Sequence, residues 1–134
     1  MISELNDVME KQKKTVFITA AVFSVLYIIT GIATSDMYIA VINVILWGCM
    51  CFGYNWAKMS KVLLNIIVVC VYLCAVVQMI LQQNNSVEIN PVLIFKTFVN
   101  VIVPAAEIII IYKSKNISDY FLDSKKNKIN TKLK

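Results

Sequence analysis

The chain has 134 residues, 59% of them hydrophobic and only 16% charged, with a net charge of +5. Soluble domains run at about 45–50% apolar and about 25% charged, so the composition argues against a soluble fold and for one membrane domain spanning 1–134. There is no His, and the three Gly form no phosphate-cradling pattern; Ser-His-Asp and Cys-His chemistry, Walker A loops and dinucleotide fingerprints are excluded, and the expectation is a non-enzyme without a cofactor.

Thr15–Ser35, Met37–Ala57 and Val62–Val87 carry no charge. Each supplies the roughly 20 apolar residues a crossing helix requires, and Pro91–Tyr112 supplies a fourth. The expected fold is an all-α membrane protein, an antiparallel four-transmembrane-helix bundle with helices at about 15–33, 37–54, 62–81 and 91–112.

All 13 basic residues are Lys, and their placement matters more than their sum. Lys11, Lys13 and Lys14 precede the first span, Lys58 and Lys61 lie between the second and third, and Lys113 onward follow the fourth. The other two connections hold Asp36 and Glu88 and no Lys. By the positive-inside rule both termini are expected in the cytoplasm, with the chain in the cell membrane. The basic excess then calls for no nucleic acid and favours, at most, anionic headgroups.

In the first 14 residues, Ile2, Leu5, Val8 and Met9 recur near the helical period, as in a short amphipathic helix on the cytoplasmic face, the alternative being a frayed terminus. The apolar run after Lys14 exceeds the 7–15 residues of a signal-peptide core, so an uncleaved first helix is expected. Thr15, Thr19, Ser24 and Thr30 can return their hydroxyls to backbone carbonyls, and Gly31, Ala33 and Ser35 suit a tight turn. The second span holds Asn43 and ends among Trp47, Tyr54 and Trp56, residues of an aromatic belt. Asn55–Lys61 reads as a short basic connection. In the third span Asn65 and Gln78 are candidates for ordinary interhelical hydrogen bonds. The next connection, around residues 82–90, is polar and ends at Pro91, which suits a first helical turn. After Tyr112, the apolar side chains Ile117, Tyr120, Phe121 and Leu122 predict an interfacial helix over 115–124, followed by a Lys- and Asn-rich tail.

The fourth span carries the candidate chemistry. On a helix, with Lys96 at 0°, Asn100, Pro104 and Glu107 fall at about 40°, 80° and 20°, one polar stripe. Charges at membrane depth are costly, so the stripe should face protein. Lys96 can snorkel outward on its long stem, whereas Glu107 must be protonated, solvated or paired, with Lys58 or Lys61 the nearest candidates. The functional reading is an ion or proton site; the structural reading is a stripe that sets helix register or meets a partner. Pro104 removes a backbone bond between the two charges.

Cys70 and Cys74 lie one turn apart and could in principle hold a soft metal such as Cu(I), while Cys49 and Cys51 diverge on their helix. Free Cys more often serves as a small packing residue, so no metal is expected.

Trp56-Ala57-Lys58, Tyr112-Lys113-Ser114-Lys115 and Asp119-Tyr120-Phe121, in a Lys-, Ile- and Asn-rich chain, resemble the small four-helix membrane proteins of low-GC bacteria. The resemblance implies the fold class and no activity. Some proteins of this build serve as bacteriocin immunity factors or accessory subunits. The expectation is therefore a membrane binding or accessory protein, immunity-like or a subunit of a larger system, with the bilayer, another membrane protein or its own copies as partners. The alternative is a small oligomeric ion or solute transporter or channel using Glu107 and Lys96.

Overall fold

The computed structural model describes residues 1–82 and 90–133, and every element within them is helical. The helices are α1 (Ile2–Thr34), α2 (Met37–Cys51), α3 (Asn55–Gln82), α4 (Pro91–Lys113) and α5 (Lys115–Lys132). α1, α3 and α4 are long and apolar enough to cross a membrane. Large apolar side chains such as Ile18, Ile29, Ile67, Val71 and Phe95 are exposed along them, the exterior expected of a protein that faces lipid. The expected polar connection at 82–90 lies mostly outside the described residues, as does Glu88.

Several boundaries differ from the sequence expectation, each for a local reason. Residues 1–14 are continuous with the first apolar stretch, giving one helix of 33 residues, ~50 Å long. No Pro or Gly interrupts the chain before Gly31, so nothing stops that helix early. α2 has 15 residues, ~22 Å, against the ~30 Å of a hydrocarbon core. It ends where Gly53 takes φ +74, a left-handed conformation that glycine adopts without penalty. The expected connection Asn55–Lys61 is instead the first two turns of α3, which has no breaker before its apolar run. α5 continues to Lys132, eight residues past the expected end.

The chain divides into two compact units. The first comprises residues 1–61 and 110–134, and the second residues 62–109.

In the first unit, α1 buries Gln12, Val16, Ala20, Phe23, Tyr27, Gly31 and Thr34, in steps of four, four and three, repeated. α2 answers with Ala40, Asn43, Trp47 and Met50, in steps of three, four and three. Such seams bring two helices together by ridges into grooves. Gly31 meets Ala40 and Phe23 stacks on Trp47 (centroids 5.9 Å apart), so the pair runs antiparallel. A Cβ at Gly31 would come within 2.8 Å of the Ala40 Cβ, too close to fit without movement. The turn is closed by Ser35 at φ 61, whose N–H returns to the Gly31 carbonyl. The hydroxyls of Thr15, Thr19 and Thr30 bond carbonyls three or four residues back, as their positions predict.

α5 packs against this hairpin and the α2–α3 turn. Ile117 and Phe121 are buried, and the Asn116 amide donates to Thr15 Oγ1 at 3.4 Å. The last carbonyls of a helix lack intrahelical donors. At the end of α2, Cys49 and Met50 accept from the turn amides, and Cys51 accepts from the Tyr120 hydroxyl at 2.6 Å. Gly53 faces Ser124 so closely that a Cβ there would lie 2.5 Å from its Oγ.

In the second unit, the remaining length of α3 and most of α4 flank an open groove of about 460 Å³ lined by Leu73, Val76, Ile80, Ile94, Phe98 and Ile102 among others. Asn90 caps α4: its Oδ1 accepts from the Val92 N–H at 3.0 Å, with Pro91 at the first helical position.

Candidate functional site

The polar stripe of α4 turns inward one position off the expected line. Its buried members are Thr97, Asn100, Pro104 and Glu107, spaced three, four and three apart. Lys96 flanks them and is half-buried. Thr97 Oγ1 donates to the Leu93 carbonyl at 2.8 Å, and the Asn100 amide donates to the Lys96 carbonyl at 2.9 Å. The Thr97 hydroxyl and the Asn100 NH2 group thus donate within their own helix. α4 continues through Pro104, which leaves the Asn100 carbonyl without its usual donor four residues on.

Glu107 is fully buried. Its Oε2 accepts a hydrogen bond of 2.5 Å from Asn65 Nδ2, and Asn65 is itself 1% exposed. This pair ties α3 to α4 within the second unit. A carboxyl group at this depth requires such a donor, because an unsatisfied one costs several kcal/mol in hydrocarbon. Sequence reasoning identified both residues but did not join them.

The first unit holds its own buried polar cluster. Lys61 is completely buried. Its Nζ donates to Asn43 Oδ1 and lies over the Tyr27 ring, 4.4 Å from the centroid. Asn43 is anchored in turn, its Nδ2 donating to the Ile39 carbonyl at 2.7 Å. A ring face and an amide oxygen are the two uncharged groups best suited to hold an ammonium out of water. The cluster joins α1, α2 and the start of α3. Sequence reasoning placed Lys61 in a basic connection, as a topology signal and a candidate companion of Glu107. The absence of any breaker from Asn55 to Val62 was the available signal that Lys61 lies on a helix.

Lys58 lies over both Tyr112 (6.0 Å) and Phe121 (5.4 Å), and Lys128 over Tyr54 (4.3 Å), so two lysines of the basic end also rest on aromatic faces. Tyr54 and Trp56 themselves are exposed and tilted against each other, consistent with a belt position. Burial raises the Tyr120 phenol above its ordinary range, and charge on neighbouring Cys51 would add to that; the hydrogen bond from Ser124 acts the other way.

Cys70 and Cys74 share an exposed face of α3, and Cys49 and Cys51 are half-buried on α2. Among the described residues, no three Cys, Asp or Glu side chains gather as metal ligands would.

Compared with protein-family models, curated proteins and solved structures, the chain matches none.

Proposed function

We propose that this chain is a small integral membrane protein with a binding or accessory role, immunity-like or a membrane subunit of a larger system. The burial of Glu107 against Asn65 carries this reading. The carboxyl most suited to an ion path is engaged with a neighbouring helix, as a structural contact would be. Lys61 is likewise shut away against Asn43 and Tyr27. The distribution of Lys supports four crossings with both termini cytoplasmic, in the cell membrane. α2 completes the second crossing with help from the Phe52–Tyr54 turn and local thinning of the bilayer, a cost of fractions of a kcal/mol per Å of mismatch. The wide apolar exterior suits lipid, copies of the chain or another membrane protein as neighbours.

The test is reconstitution. Purified protein in liposomes should give no saturable, ion-dependent flux above protein-free vesicles. Flux that Glu107→Gln abolishes without unfolding the protein would establish the transporter reading instead.

A further inference from the structure

A second cavity lies in the first unit, between the start of α1 and α5. It measures about 210 Å³ and is lined by Glu10, Gln12 and Lys13 of α1 and by Tyr120, Asp123 and Asn127 of α5, among others. That is too small for a whole lipid and ample for a headgroup. Gln12 is only 5% exposed, and among the described residues its amide has no protein hydrogen-bond partner, although none of its polar atoms is sealed from solvent. The amide is therefore accessible to solvent, in a residue that lines the cleft.

The lining specifies the chemistry of a ligand. The carboxylates of Glu10 and Asp123 accept hydrogen bonds, and Gln12 offers a further acceptor oxygen. Lys13 supplies a cation on the same rim. Three acceptors match the three N–H bonds of a primary ammonium, and the lysine matches an attached phosphate. The depth also fits. Met9–Lys13 lie within six residues of Thr15, where the apolar stretch begins, so the cleft sits ~3–9 Å beyond it along the helix. The headgroup zone occupies ~5–8 Å on each side of the hydrocarbon core.

We infer that this cleft binds the phosphoethanolamine headgroup of a membrane lipid. The inference rests on the reading of α1 as a crossing helix that enters the bilayer near Thr15. A choline headgroup, with no N–H to donate, should be rejected.

The test uses the full-length protein in nanodiscs holding equal amounts of phosphatidylethanolamine, phosphatidylcholine and phosphatidylglycerol with identical acyl chains. Lipids retained on release are counted by native mass spectrometry. The wild type should retain phosphatidylethanolamine over phosphatidylcholine by at least about tenfold, the scale set by losing hydrogen bonds to charged groups, and Glu10→Gln/Asp123→Asn should bring the two to parity. Equal retention in the wild type, a preference for phosphatidylglycerol, or an unchanged preference in the variant would overturn the site. Displacement by an equal concentration of soluble glycerophosphoethanolamine would overturn the lipid as its source. Carbonate extraction separates the premise. Protein that stays in the membrane without headgroup preference defeats the cleft alone, and protein released to the supernatant defeats the crossing helix.

Discussion

The side-chain amide of Asn65 donates to Glu107 Oε2 at 2.5 Å, and both residues are shut off from the surface. The bond gives each a buried partner, so the two residues should be energetically coupled. Glu107→Gln keeps an acceptor of the same shape and should change unfolding stability by less than about 1 kcal/mol. Glu107→Leu strands the Asn65 donor and should cost about 1–3 kcal/mol. In the Asn65→Leu background the same change should cost at least 0.5 kcal/mol less, roughly the smallest coupling expected of residues in contact. Denaturation in detergent micelles, followed by circular dichroism, measures all four corners of the cycle. Additive costs would show that the two residues are independent.

The Lys61 cluster makes a parallel case. Lys61→Met preserves the length of the side chain but leaves Asn43 Oδ1 without its donor, at an expected cost of about 1–3 kcal/mol. Tyr27→Leu removes the ring face beneath the ammonium and forfeits roughly 0.5–2 kcal/mol beyond its packing loss. With Met already at position 61 that extra loss should vanish. A Tyr27→Leu penalty identical in both backgrounds would mean that the ring contributes packing alone.

Much of this was legible in the sequence, and the remainder was hidden for identifiable reasons. The uncharged runs announced long apolar helices, and the angular clustering of Asn100, Pro104 and Glu107 marked the face of α4 that is buried. Which residue meets Glu107 depends on the rotation of α3 about its axis, and composition does not specify that angle. Lys61 was hidden because a charged segment between two apolar runs reads as a connection, whereas the turn is made eight residues before it, at Gly53. The extension of α5 was hidden by its lysines. A charged tail still continues a helix when Ile117 and Phe121 anchor its start and no breaker intervenes.

Tyr120 links α5 to the end of α2, and its titration should be visible. Because burial raises the phenol above the usual 10.0, the folded state holds this proton more tightly than the unfolded chain. The associated stability is complete below the ordinary tyrosine range and is lost as pH rises through the native value. Tyrosinate absorbance should show a late-titrating component that is lost in Tyr120→Phe. α5 should become protease-sensitive over the same alkaline range. Tyr120→Phe should itself cost about 0.5–1.5 kcal/mol through loss of the bond to the Cys51 carbonyl.

Topology supplies an independent prediction. With the native cysteines replaced, Asp36→Cys should react with a membrane-impermeant maleimide added to intact cells, and Lys125→Cys should react only after permeabilisation. The reverse pattern would invert the orientation. Labelling of both from one side would mean that α2, α3 and α4 do not all cross.

The central claim is that Glu107 is packed in protein and lines no aqueous path. Its most direct test is the reactivity of a single cysteine at position 107, in an otherwise cysteine-free chain, toward small charged methanethiosulfonates applied from each side of the membrane. The packing of Glu107 against Asn65 predicts no modification from either side in the folded protein and full modification after denaturation. Rapid labelling of the folded protein from either side would contradict it and place the position in water.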